Sequence, residues 1–226
     1  MKNIYGILIF IVVLIVHIAG IYMGNEMIER ITKPLLIAVL AVYFIWSVKS
    51  FRTGLKKWIV LALFFSWAGD ILLMFVADNS AFFLAGLFTF LIAHIFYIFF
   101  FHAVRIRENI KGKGFLLLIV FVYYAILMTV LTPGLVNMKL PVGIYGVFIC
   151  FMLMLAMHML YIKNRNAGKK MFAGALLFVI SDTVLAINKF YYPFMEAGII
   201  IMITYGIAQL LIVQGAIEYI KGEKNK

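Results

Sequence analysis

Two aspartates, Asp70 and Asp182, interrupt apolar runs long enough to cross a bilayer. A carboxylate at that depth costs several kcal/mol unless a partner stabilises it, so each marks a functional site by default. The chemistry they suggest is acid and base. Two carboxylates sharing a low-dielectric site resist ionising together, which leaves one carrying a proton and the other a charge. The plainer reading is that each acid ties helices together through hydrogen bonds.

Around Asp70 the chain reads Phe65-Ser66-Trp67-Ala68-Gly69-Asp70. Ser66 lies one helical turn before the acid on the same face, where its hydroxyl is expected to donate to the carboxylate. Gly69 allows close helix approach or room for a substrate. Around Asp182 the order is Ser181-Asp182-Thr183-Val184-Leu185-Ala186-Ile187-Asn188-Lys189. Lys189 falls two turns beyond the acid, at the outer interface, where it could hold a phosphate as a point charge or simply snorkel. Lys33, in Thr32-Lys33-Pro34, sits at the expected outer start of the second helix, where Pro suits the first turn. It has the same two readings, anion binding or anchoring.

Ala93-His94-Ile95-Phe96-Tyr97 offers His94 and Tyr97, and the last apolar run offers Tyr205 and Gln209. These four could line the cavity of the acids and supply hydrogen bonds or a proton path. A metal site would have to draw on His17, His94, Asp70 and Asp182. There is no pair of His at i and i+4, and His102 and His158 lie toward the other ends of their helices, so no metal and no cofactor are expected. Ser66 and Ser181 lack a Gly-x-Ser-x-Gly elbow and a paired base, which argues against a serine nucleophile. The single cysteine, Cys150, lies in an apolar run and provides neither a disulfide framework nor a metal cluster.

The elements that must position these groups follow from composition. With 66% hydrophobic and 13% charged residues over 226 positions and a mean hydropathy of +1.10, the chain is expected to be an all-α integral membrane protein. Apolar runs bounded by charge, Pro or Gly predict eight transmembrane helices at about 4–23, 34–48, 58–77, 82–104, 114–132, 140–162, 170–188 and 196–219. The first follows only Lys2. It is longer than a signal-peptide core and lacks a convincing cleavage site, so it is expected to be retained.

The net charge of +11 falls in alternate loops. Lys49, Arg52, Lys56 and Lys57 follow helix 2; Arg105, Arg107, Lys111 and Lys113 follow helix 4; Lys163, Arg165, Lys169 and Lys170 follow helix 6. Lys221, Lys224 and Lys226 follow helix 8, and Lys2 precedes helix 1, whereas the opposite loops hold only Arg30, Lys33, Lys139 and Lys189. This pattern predicts that both termini are cytoplasmic. The basic charge is then topological, with attraction to anionic membrane lipids second, and no nucleic-acid partner is expected.

A shift of 112 residues carries Asp70 onto Asp182, Leu73 onto Leu185, Ala85-Gly86 onto Ala197-Gly198, and Lys57 onto Lys169. We therefore expect one polytopic domain, residues 1–226, built as two parallel four-helix repeats of about 1–112 and 113–226. An even number of helices per repeat keeps the orientation, so the axis should lie along the membrane normal. Each acid lies about 12 residues past its predicted helix start, roughly 18 Å at 1.5 Å per residue. The pair is thus expected at one depth, facing one cavity if helices 3 and 7 line the axis.

Several short segments together resemble the YhhN family of integral membrane proteins, whose animal members are lysoplasmalogenases. They are Thr32-Lys33-Pro34-Leu35-Leu36, Phe65 through Met74, Gly86-Leu87 through Tyr97, Pro141-Val142 with Tyr145, Gly174-Ala175 through Ala186 with Lys189-Phe190, and Tyr205 with Ala208-Gln209. They span nearly the whole chain in order; the loops and helices 1 and 5 diverge. The resemblance implies an eight-helix, multi-pass enzyme, here expected in a bacterial cytoplasmic membrane, that hydrolyses the vinyl ether of a lysoplasmalogen or related lysolipid reached within the bilayer. It implies that Asp70 and Asp182 are catalytic, without saying which is the acid. A phosphate would lie near Lys33 or Lys189, with Ser66, His94, Tyr97, Ser181, Tyr205 and Gln209 around the substrate. On the residues alone, two other readings remain. One is a proton-coupled carrier, which parallel repeats and buried acids would suit equally; the other is a non-catalytic membrane partner or lipid-binding protein.

Overall fold

A computed structural model describes residues 2–77 and 79–222. The expected basic residues Lys224 and Lys226, and the side chain of Lys2, lie outside the described residues. Eight α-helices follow in order: α1 (Lys2–Met23), α2 (Glu26–Val48), α3 (Leu55–Met74), α4 (Ala81–Arg107), α5 (Gly114–Leu135), α6 (Lys139–His158), α7 (Arg165–Phe190) and α8 (Ala197–Gly222). No strand occurs among the described residues. Among the described residues, seven helical stretches are long and apolar enough to cross a membrane.

One of those stretches, Gly114–Tyr161, contains both α5 and α6. They part at Val136, whose φ of 42° is hard for a β-branched residue, followed by a short 3-10 turn. The two helices then fold back on each other. Tyr124 Oη donates to the Gly143 carbonyl at 3.2 Å, and a Cβ on Gly146 would fall 2.9 Å from the Tyr124 ring.

The second helix departs from the hydropathy expectation. It begins at Glu26, not at Lys33-Pro34, because Asn25 caps it by accepting from the Ile28 amide at 3.2 Å. Glu26, Glu29 and Arg30 make its first turns polar, so an apolar reading starts too late. Pro34 therefore lies inside α2. Likewise α7 begins at Arg165, capped by Asn164 accepting from the Ala167 amide at 3.2 Å, five residues before its apolar run.

The basic loops converge at one end of the bundle. Arg107 Nη1 donates to Thr53 Oγ1 at 3.3 Å, Glu108 accepts from the Lys163 amide at 3.1 Å, and Lys170 pairs with Glu218. In the interior, α3 packs along α4 and α7 along α8, while α4 also packs against α6 as α8 does against α2. Glycines permit the closest of these approaches: a Cβ on Gly69 would meet the Phe90 ring at 2.7 Å, and one on Gly174 would meet the Ala208 carbonyl at 2.7 Å. The helices that bear the acids, α3 and α7, are thus each held tightly by the helix that follows.

Candidate functional site

Asp70 sits one turn before the end of α3 and is buried. Tyr205 of α8 donates to its Oδ2 at 2.8 Å. Behind this contact, Gln209 Nε2 donates to Ser66 Oγ at 3.0 Å and to Tyr205 Oη at 3.4 Å, and Tyr97 of α4 donates to Gln209 Oε1. The expected donation from Ser66 to Asp70 is not found. Ser66 Oγ faces the Gln209 amide because α8 crosses α3 there, and Tyr205, with its longer reach, supplies the donor to the acid.

Asp182, on α7, receives a hydrogen bond at Oδ2 from Tyr145 of α6. His94 Nε2, from α4, lies 4.0 Å from the same oxygen. The His94 ring is fully buried, edge-on to Tyr145 and Phe178, with the Phe90 backbone one turn back as its polar neighbour. Ser181 beside the acid donates to the Ile201 carbonyl at 3.1 Å, tying α7 to α8.

Both acids line one cavity of about 220 Å³. Lys33, Tyr145, Ser181, Lys189 and Tyr205 share its wall, with Asn188. Lys189 holds its Nζ 5.2 Å from the centre of the Phe83 ring. Past Asp182 and Tyr145, an apolar crevice of about 50 Å³ continues among Tyr123, Leu127, Met128 and Leu131 of α5 and Val142 of α6. Ser66, His94, Tyr97 and Gln209 stand behind the cavity wall, not in it. His17 is occupied elsewhere, its Nδ1 bonded to Thr32 Oγ1 at 2.7 Å, and no group of three His, Cys, Asp or Glu is placed to hold a metal among the described residues.

Tyr145 is the partner that residue types alone did not single out, since a tyrosine in an apolar run is unremarkable in isolation. The register contained a signal for it: 112 residues before Tyr145 stands Lys33.

The YhhN family profile matches residues 28–216, a span that contains both acids and every residue placed around them. The chain belongs to the YhhN family. Among relatives of this YhhN chain, lysoplasmalogenase TMEM86B of Rattus norvegicus is 34% identical over 189 residues, covering 82% of this chain and 70% of its own length. The Homo sapiens protein of the same name is 34% identical over 77% of this chain and 69% of its own. Lysoplasmalogenase TMEM86A of Homo sapiens is 31% identical over 71% and 65%. No solved structure matches the chain.

Proposed function

We propose that this YhhN-family protein is a membrane-embedded hydrolase that cleaves the vinyl ether of a lysoplasmalogen, or a closely related lysolipid, with Asp70 and Asp182 as its acid and base. The observation that carries the reading is the pair of carboxylates from two different helices in one cavity, in a chain whose relatives are named lysoplasmalogenases. Vinyl ethers open by protonation at the carbon distal to oxygen, which gives an oxocarbenium ion that water attacks; the chemistry asks for a proton donor and an anionic partner on the two sides of the substrate. One aspartate gives its proton to that carbon, and the other stabilises the cation and takes a proton from the attacking water. The hemiacetal so formed collapses when the second acid returns its proton to the glycerol oxygen and the first recovers one from the hemiacetal hydroxyl. A fatty aldehyde and a glycerophospho-base leave, and both aspartates are restored without a cofactor.

The cavity suits an amphiphile. Lys33 and Lys189 are the cations available to a phosphate, and the apolar crevice past Asp182 receives the first carbons of the alkenyl chain. The scaffold we propose is an eight-span bundle in which α5 and α6 cross separately, both termini are cytoplasmic, and two four-helix units arose by duplication. Two features support the duplication: the 112-residue shift carries α1 onto α5 at both ends, and α4 meets α6 as α8 meets α2.

The test is release of aldehyde from a lysoplasmalogen by the purified protein. Asp70→Asn and Asp182→Asn should each lose about 100-fold or more in turnover while keeping the wild-type elution profile. Undiminished turnover in both variants would refute the aspartate mechanism, and a protein that moves a solute across vesicles without releasing aldehyde would be a carrier instead.

A further inference from the structure

The 112-residue shift lays α1 on α5 end to end, yet the two helices turn different faces inward. Phe10, Leu14 and His17 of α1 are buried, and Leu14 packs against Gly206 of α8. Their counterparts on α5, Val122, Ile126 and Thr129, face outward, with Ile126 62% exposed where Leu14 is 8%. Conversely, Ile11 and Ile15 of α1 are exposed, while their counterparts Tyr123 and Leu127 line the crevice beside Asp182. The helix contacts differ in the same sense. Among the described residues α1 packs on α8, whereas α5 leaves α4, the equivalent helix, and packs on α7 instead. The second half therefore has a crevice under α5, next to the less buried of the two acids.

That crevice is continuous with the cavity of the acids, since Phe83, Leu87, Tyr145 and Asp182 line both. It is too small to enclose a lipid tail. A cavity of about 150 Å³ takes up one benzene, so the crevice of about 50 Å³ takes roughly two carbons. Two contacts frame it where α5 meets α7. Thr183 gives its proton to the Val179 carbonyl at 2.6 Å, so Tyr123 is the donor in the 2.6 Å bond to Thr183 Oγ1. Farther along α5, roughly 16 Å on, Gly134 lies so close to α7 that a Cβ would fall 1.7 Å from the Phe190 carbonyl oxygen. Between the two, half-buried Leu127 and Met128 stand over Ala186.

Resting on the hydrolase reading above, we propose that the seam between α5 and α7 is a lateral portal for the alkenyl chain, latched by Tyr123 and Thr183. Only the first carbons of the chain enter the crevice, and the rest stays in the bilayer. The seam opens at the Tyr123 end, because a single side-chain hydrogen bond holds it there and a close backbone contact holds it at Gly134. Tyr123 is a positioning residue, which acts through α5 and not on the reacting atoms. The portal sets what the enzyme reads. A methylene that lies among lipid tails before and after binding changes no contact with water, so it adds nothing to affinity. A branch beside the vinyl ether has to fit the crevice, and one excess methyl there costs about tenfold or more.

The experiment closes the seam reversibly. Tyr123→Cys and Thr183→Cys are combined after Cys150→Ala, and an ethane-bridged bis-methanethiosulfonate joins the two thiols until dithiothreitol removes it, with intact mass reporting completion. Aldehyde release is measured from hexadecenyl glycerophosphocholine and from its soluble propenyl homologue, which needs no passage between the helices. The bridged protein should lose on the order of tenfold or more in turnover of the hexadecenyl substrate, keep its rate on the propenyl one, and recover with dithiothreitol. Undiminished cleavage of the long chain by fully bridged protein, or equal loss on both substrates, overturns the portal. Wild type should show kcat/KM constant within about threefold from decenyl to octadecenyl chains at fixed mole fraction in lipid micelles; a sharp optimum or cutoff in length would mean that the protein encloses the chain, and overturns it as well. Failure of the hydrolase reading looks different: the unbridged protein then releases aldehyde from neither substrate.

Discussion

At the scale of single residues, the site is held by donors that leave little freedom to the acids. Tyr205 donates to Asp70 and is itself contacted by Gln209, which also spans to Ser66 and receives Tyr97. A buried amide of this kind is stabilising only while its partners remain, because an unsatisfied buried polar atom costs about 1–3 kcal/mol. Tyr97→Phe is therefore expected to lower stability by about that amount, and Gln209→Leu by at least as much. The double variant should be less destabilised than the sum of the two, with a coupling energy of roughly 0.5–3 kcal/mol. Thermal unfolding in detergent across the four proteins measures it, and strict additivity would show that the bond carries no energy. Tyr145→Phe removes the donor from Asp182 without touching this network, so it should lower turnover by about tenfold or more and cost no more stability than Tyr97→Phe. Aldehyde release and thermal unfolding measured on the same preparation decide that point.

At the scale of helices, the acids are positioned by close packing. Gly174 brings α7 against α8 so tightly that an added Cβ would lie 2.7 Å from the Ala208 carbonyl and 2.8 Å from the Ile212 amide nitrogen. These are backbone atoms, which cannot rotate away. A Gly→Ala change inside a helix gains about 1 kcal/mol in propensity, but overpacking typically costs 1–3 kcal/mol or more, so packing should win. Gly174→Ala is expected to lower the melting temperature, and a rise would mean that α7 and α8 can separate without loss. At Gly69 the obstacle is the Phe90 ring. A side chain can turn, so Gly69→Ala should be tolerated better than Gly174→Ala in the same assay.

At the scale of the molecule, contacts among the basic loops gather them at one end, while Lys33 and Lys189 line the cavity of the acids. With positive charge retained on the cytoplasmic side, cysteines placed at Lys56 and Lys169 should resist a membrane-impermeant maleimide in intact cells, and one placed at Lys139 should react. The buried native Cys150 is replaced first to give a silent background. Labelling of Lys56→Cys and Lys139→Cys alike would contradict the arrangement in which α5 and α6 each cross.

The sequence by itself determined the class of the protein, its helices and its two acids. Apolar runs of bilayer length leave the backbone no option but to satisfy its own hydrogen bonds as helix, and a carboxylate in such a run is conspicuous against its neighbours. It misjudged the starts of α2 and α7, since Asn25 and Asn164 cap polar turns that hydropathy discards. What only the tertiary structure decided was the company each acid keeps. Tyr145 and His94 meet Asp182, and Tyr205 meets Asp70, across sequence separations that no local pattern encodes. Ser66 turned from an expected donor into an acceptor because α8 crosses α3 at that level. Helix periodicity fixes which face a side chain occupies, but the neighbour it meets there depends on how eight helices pack, and that is set by the small residues and aromatic rings between them.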